Sequence, residues 1–123
     1  MQFSREDTPR HAITRYAPDS IRIAGSDYRG SLAVTADSIL TDWQCADVSA
    51  LDEALLSRLV ALEPETILLA AGERVHFPDA AAMRTVLRAG IGIEVMNDGA
   101  AVRTFNVMLA EGRRVVLALV RGD

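Results

Sequence analysis

The sequence predicts a layered α/β domain in its second half. Between Pro64 and Leu119 a short apolar run, a turn and an amphipathic run follow one another twice before a last apolar run. Short apolar runs are typical of strands covered on both sides, and the amphipathic runs have the period of helices that pack on a sheet. The expected order is β-α-β-α-β, with parallel strands and helices on both faces.

The composition indicates one globular domain. The chain has 123 residues, of which 50% are hydrophobic and 24% charged, and none of its apolar runs approaches the length of a membrane-spanning segment. The net charge of -4 disfavours nucleic acid as a partner. A charged N-terminus without a secretory signal, together with the single Cys45, favours the cytoplasm.

The N-terminal segment is expected to be an arm. Residues 1–18 have no sustained hydrophobic period and contain two prolines, which predicts a segment that is mobile or draped over the domain. Residues 19–123 are then the single α/β domain.

Three strands are predicted before the first helix. Residues 21–24 alternate between apolar and polar, a turn follows at residues 25–27, and residues 28–35 form the next strand. Gly30 within that strand indicates a bulge or a bend. A short edge strand is expected at residues 38–43.

The first helix is expected to begin at Ser49, whose hydroxyl can cap it, and to end before Pro64. Its leucines recur with helical spacing and should pack on the sheet. A covered strand follows at residues 66–70. A second helix should start after Asp79, with Met83, Val86 and Leu87 facing inward, and end at Gly90.

The last three elements follow the same pattern. Residues 91–96 are expected to form another covered strand, and Asn97-Asp98-Gly99 turns the chain into a third helix. Val102, Phe105, Met108 and Leu109 form the apolar stripe of this helix. A final strand is expected at residues 115–120.

Polar side chains are densest between Glu94 and Asn106, where a strand ends and a helix begins. Ligands of open α/β sheets gather at such strand ends. An arginine there can clamp an anion and a carboxylate can act as a base. The structural alternative is that Asp98 caps the helix and the others form a solvated face. The candidate ligand or interaction site consists of Glu94, Asp98, Arg103, Thr104, Asn106 and Arg74.

No complete catalytic set follows from the sequence. His11 and His76 lie far apart without further ligands nearby, which disfavours a metal site, and no cofactor motif is present. Cys45 lacks a neighbouring basic residue and is interpreted as a small apolar filler near Trp43. We therefore expect no cofactor, and the sequence favours a non-enzymatic role over an enzyme without deciding between them.

Several segments together resemble a small domain family of unknown function that occurs in archaea, bacteria and mitochondria. This family includes the mitochondrial assembly factor three of respiratory complex I. The resemblance rests on Tyr28-Arg29-Gly30-Ser31-Leu32, Ile67-Leu68-Leu69, Phe77-Pro78, Gly90 to Met96, Arg103 to Val107, and Glu111 to Val115.

The resemblance implies a single three-layer domain with a central mixed, mostly parallel five-stranded sheet and helices on both faces. It implies no enzyme activity, and it implies assembly through protein contacts for the mitochondrial members. This chain departs from the family pattern at Ala70-Ala71-Gly72, where Gly-Thr-Gly is common, and at Val102, where a cysteine is common.

Two functions remain open at this stage. The first is a non-enzymatic protein-interaction module that assists assembly of a membrane-associated respiratory complex. The alternative is a small-ligand-binding protein or enzyme with its site between Glu94 and Asn106. A protein partner is expected in the first case, and an apolar edge strand also favours a homodimer.

Overall fold

The structure is a computed structural model and describes residues 9–122. Residues 1–8 of the expected N-terminal arm lie outside the described residues. The described chain forms β1 (Ile13–Ala17), β2 (Ser20–Ile23), β3 (Ser26–Tyr28), β4 (Leu32–Val34), β5 (Ile39–Leu40), α1 (Glu53–Val60), β6 (Thr66–Ala70), α2 (Ala80–Arg88), β7 (Gly92–Met96), α3 (Asp98–Ala110) and β8 (Val115–Leu119).

The central sheet has five strands in the order β5-β4-β8-β6-β7. β6 pairs in parallel with β7 and with β8, as the β-α-β-α-β pattern predicts. β4 runs antiparallel to both β8 and β5. The expectation of a mostly parallel sheet is therefore wrong: half of the pairings are antiparallel. A short local pattern carries no information on strand direction, since Leu32 of β4 pairs with Leu119 at the far end of the chain.

A second sheet of three antiparallel strands, β1-β2-β3, was not expected as a separate unit. Residues 13–17, assigned from the sequence to the arm, form its strand β1. The single strand expected at residues 28–35 is split into β3 and β4, because Gly30 has a φ of 74° between them. Only glycine adopts this backbone region readily, and here the chain passes from one sheet to the other.

One face of the central sheet is covered by α3 and by the three-stranded sheet. Phe105 and Met108 of α3 pack with Ile21 and Ile23 of β2 and with Leu117 of β8. The whole predicted stripe of α3, residues 102, 105, 108 and 109, is buried as expected. This cluster joins the two sheets into one packed layer.

The opposite face of the sheet is covered by α1 and α2. Leu56 and Leu59 of α1, Val86 of α2, and Trp43 pack against the central strands with no solvent exposure. The expected three layers are present, because helices lie on both faces. Leu87, however, is 61% exposed, so its predicted inward position is wrong.

Two boundaries differ from the sequence expectation. α1 begins after Asp52, whose carboxylate accepts the backbone N–H of Leu55 at 2.8 Å, and Ser49 lies in a separate turn of 3-10 helix, Val48–Ala50. Both residue types are good caps, so local sequence could not distinguish them. β7 lies at the edge of the sheet and is half-buried, although a covered strand was expected there.

Within residues 9–122, none of the helices combines the length and the hydrophobicity needed to cross a bilayer. The cytoplasmic location expected from the sequence stays a prediction.

Asn106 fastens the three-stranded sheet to α3. Its Oδ1 accepts the Ile13 N–H at 2.8 Å and its Nδ2 donates to the Ile13 carbonyl at 2.9 Å. Asn106→Ala should lower the free energy of unfolding by about 1–3 kcal/mol, because both backbone groups of a buried residue lose their partners. Chemical denaturation would measure this difference. Val107→Ala, at an exposed position of the same helix, should change it by less than about 0.5 kcal/mol. Equal losses for the two variants would contradict the fastening role.

Cys45 is buried in the core between the central sheet and the layer of α1 and α2, where Trp43 also lies, as the sequence predicted. Its backbone N–H donates to the Ser31 hydroxyl at 2.9 Å. Burial, aided by Asp47, raises the pKa of its thiol to about 11. At pH 8 only about one thiol in a thousand is then ionised, so the native chain should react with Ellman's reagent far more slowly than the denatured chain. Equal rates in buffer and in guanidinium chloride would contradict the burial of this thiol.

Candidate functional site

The carboxyl ends of the central parallel strands open on a cavity of about 880 Å³, which we name the β6–β8 cavity. Its wall includes Gly72 after β6, Asp98 after β7 and Arg121 after β8. Strand β1 contributes Tyr16, and the 3-10 turn before α1 contributes Val48. The cavity therefore lies where α/β sheets usually bind ligands.

Asp98 joins two of the strand-end loops. Its carboxylate accepts the backbone N–H of Gly72 at 2.7 Å, and its own backbone N–H donates to the Gly72 carbonyl at 3.0 Å. Gly72 has a φ of 89°, which the tight turn after β6 requires. The side-chain cap of α3 is Asn97, whose Oδ1 accepts the Ala100 N–H at 2.9 Å. The structural role that the sequence suggested for Asp98, capping the helix, thus belongs to its neighbour.

Arg121 brings a cation into the wall of the cavity, although only 8% of its surface is exposed. Its Nη2 donates to the Ala17 carbonyl at 2.9 Å and lies 3.5 Å from Oδ2 of Asp98. Nε and Nη1 are buried and have no hydrogen-bond partner among residues 9–122. Its backbone N–H donates to the Cys45 carbonyl at 3.0 Å, which holds the end of β8 against the segment before α1.

The ring of Tyr16 lies across this guanidinium, with 5.6 Å between the ring centroid and Cζ of Arg121. Such a contact stabilises the cation through the electron-rich face of the ring. Burial raises the pKa of the Tyr16 hydroxyl, and the charge of Asp98 raises it further, while Arg121 opposes both. The phenol therefore stays protonated at neutral pH.

Further acidic side chains line the cavity. Asp47, Glu73 and Asp79 belong to its wall, and these positions are exposed. The hydroxyl and the backbone N–H of Ser49 lower the pKa of Asp47, so that carboxylate is ionised at neutral pH. Within residues 9–122, Arg121 is the only arginine in the wall, so the cavity combines a buried cation with an acidic rim.

The six candidate residues do not surround one pocket. Only Asp98 belongs to the wall of the β6–β8 cavity. Thr104 donates its hydroxyl to the Ala100 carbonyl at 2.8 Å within α3, and Asn106 is occupied by Ile13. The other three side chains are exposed: Glu94 on β7, Arg103 on α3 and Arg74 after β6.

The sequence reasoning missed Arg121 and Tyr16. Arg121 follows directly after an apolar strand, and a charged residue at the carboxyl end of a covered strand is the signal that could have indicated it. Tyr16 had no such signal, because its position depends on pairing between β1 and β2. His76, interpreted as a turn residue, is exposed and belongs to the cavity wall. Among residues 9–122, no cluster of three metal-ligating side chains is present.

Comparison with known proteins identifies relatives in bacteria and animals. An uncharacterised protein of Rhodobacter capsulatus is 34% identical over 110 residues, covering 88% of this chain and 82% of that protein. The NADH dehydrogenase [ubiquinone] 1 alpha subcomplex assembly factor 3 of Danio rerio is 30% identical over 120 residues, covering 96% of this chain and 68% of that protein.

The fold also matches a solved structure. The NMR structure of a Xanthomonas campestris protein superposes with a TM-score of 0.79 at 34% identity, covering 93% of this chain and 88% of that one. A family model described as a protein of unknown function matches residues 13–120. The resemblance seen in the sequence is therefore confirmed, and the chain belongs to the DUF498/DUF598 family.

Proposed function

We propose that this chain is a protein-interaction module that acts as an assembly factor for a respiratory complex. The observation that carries the proposal is the similarity over 120 residues to a relative whose name is that of an NADH dehydrogenase assembly factor. An assembly factor must hold a partner subunit transiently, so its surface has to offer a binding edge or patch.

The outer edge of β7 is the surface best suited to this role. Within residues 9–122, β7 pairs only with β6 and has no strand on its other side. Gly92 donates its N–H to the Glu65 carbonyl at 3.1 Å, and the Met96 carbonyl accepts the Ala71 N–H at 2.9 Å. Residues of a strand alternate between its two sides, so the backbone groups of Ile93 and Val95 point away from β6.

We assign this edge to an extended segment of the partner subunit. An open row of N–H and C=O groups is the template for adding a strand from another chain. Glu94 is exposed on β7, and it favours a partner strand with a basic residue opposite it.

A proline at Val95 should abolish the assembly function. Val95→Pro removes an N–H that points away from β6, so strand addition is blocked while the ladder to β6 is kept. In cells of the source organism that lack the chromosomal gene, the amount of assembled NADH dehydrogenase on native gels should fall several-fold. The wild-type chain should restore it, and Val95→Pro should not.

Val95→Thr is the matched control, because it keeps the N–H and the β-branched shape. It should restore assembly fully, and both variants should have melting temperatures close enough to remain folded at the growth temperature. Unchanged NADH dehydrogenase levels in cells without the gene would overturn the proposed function. Restoration by Val95→Pro would remove β7 as the binding edge.

The homodimer expected from the sequence stays a prediction, and it competes for the same edge. Analytical ultracentrifugation of the purified chain separates the two occupants. A wild-type dimer that becomes a monomer in Val95→Pro would assign the edge to a second copy, which would contradict its assignment to a partner subunit.

A further inference from the structure

We propose that the β6–β8 cavity binds a small zwitterion, a compound of the amino-acid type, with its carboxylate on Arg121 and its ammonium group among the rim carboxylates. This site is separate from the β7 edge, and it does not depend on the assembly function.

The guanidinium of Arg121 makes fewer hydrogen bonds than it has N–H groups to donate. The side chain is over nine-tenths buried, and Nε and Nη1 lack acceptors among residues 9–122. Buried N–H groups of a cation are almost always paired, because an unmade hydrogen bond of a buried charged group is costly. Asp98 contributes little to that pairing, since its Oδ2 lies 3.5 Å from Nη2 and its carboxylate is also held by Gly72. A ligand carboxylate would supply the acceptors that the described chain does not.

Access to the guanidinium is controlled by Tyr16. The ring lies across Arg121, and Tyr16 is 37% exposed. Binding of a carboxylate requires this ring to turn toward solvent. When the ring turns aside, the cavity wall presents the guanidinium to a bound carboxylate. The guanidinium of Arg121 is thus the binding group, and the ring of Tyr16 covers it.

The negative charge of the rim selects against anions that carry no positive group. Asp47, Glu73 and Asp79 line a cavity whose described wall has a single arginine, so a phosphate or another multiply charged anion would be repelled. A ligand that also carries a positive group would be attracted to both parts of the site. Asp47 keeps its charge at neutral pH because Ser49 lowers its pKa.

The size and the polarity of the cavity suit a small molecule with an apolar part. A cavity of about 880 Å³ lies within the range of small-molecule sites, which is roughly 300–1,000 Å³. Val48, Leu51, Phe77 and Val120 provide apolar wall beside the charged groups. These contacts favour a zwitterion with an aliphatic or aromatic side chain over a small polar one.

L-Leucine is the probe for this proposal. Titration of the full isotope-labelled chain, followed by two-dimensional NMR, should give saturable shifts of the Gly72, Asp98 and Arg121 amides with a Kd on the order of 0.1–1 mM. 4-Methylpentanoate lacks the ammonium group and 3-methylbutylamine lacks the carboxylate. Each should bind at least about tenfold more weakly, and inorganic phosphate should not shift these amides.

Two variants test the assigned groups. Arg121→Lys keeps the charge and removes the fork of N–H donors, so L-leucine should bind at least about tenfold more weakly. Glu73→Gln changes an exposed rim residue, and binding should weaken about threefold with the fold intact. Arg88→Gln is the matched control: this exposed arginine lies at the end of α2 opposite the cavity, and the affinity should stay the same.

Several outcomes would overturn the proposal. One is the absence of saturable shifts with L-leucine. A second is equal affinity for L-leucine and 4-methylpentanoate, which would indicate a carboxylate site without recognition of the ammonium group. A third is tighter binding of phosphate. If Arg121→Lys fails to fold, the affinity of Glu73→Gln for L-leucine and the comparison of L-leucine with its two analogues and phosphate still test the proposal. Absence of ligand binding would not contradict the proposed function, because NADH dehydrogenase assembly is measured separately in cells.

Discussion

The whole structure depends on burying β6 and β8 on both faces. Nearly every residue of these two strands is buried, and neither can be stable without a layer on each side. α1 and α2 form one layer. α3 alone is too narrow for the other face, and the three-stranded sheet completes it through Ile21 and Ile23. The Asn106–Ile13 hydrogen bonds are a consequence of this arrangement, since they hold the added sheet against the helix.

The same constraint creates the β6–β8 cavity. α2 leaves the sheet on one face and α3 on the other, so the chain separates at the carboxyl ends of the central strands. Residues 120–122, which follow β8, contain no helix. The end of that strand is instead held by Cys45, whose carbonyl accepts the Arg121 N–H, and by Ala17, whose carbonyl accepts Nη2. Segments from both sheets therefore meet around one arginine.

Local patterns were sufficient for the β-α-β-α-β half, because each apolar run or amphipathic stripe there is continuous in sequence. They did not predict strands whose pairing partners are distant in the sequence. The direction of β4 is set by β8, and β1 is a strand only because β2 lies beside it. The candidate residues are spread around α3 for a geometric reason. Asp98 and Arg103 are five residues apart on α3, which places them about 140° apart around its axis. Asp98 meets Arg121 through the fold, and no spacing in the sequence encodes that contact.

The pair of Asp98 and Arg121 is better explained by binding than by stability. A buried ion pair adds little stability unless its geometry is close and all its hydrogen bonds are made. Here the shortest recorded separation is 3.5 Å, and two guanidinium nitrogens have no acceptor among residues 9–122. The shorter hydrogen bond of the Asp98 carboxylate is the one it accepts from the Gly72 N–H, at 2.7 Å. An apolar residue at position 121 would pack against Tyr16 and Val120 without these unmet bonds. A cation held in this condition, in the wall of a cavity, is organised to bind an acceptor from outside the chain.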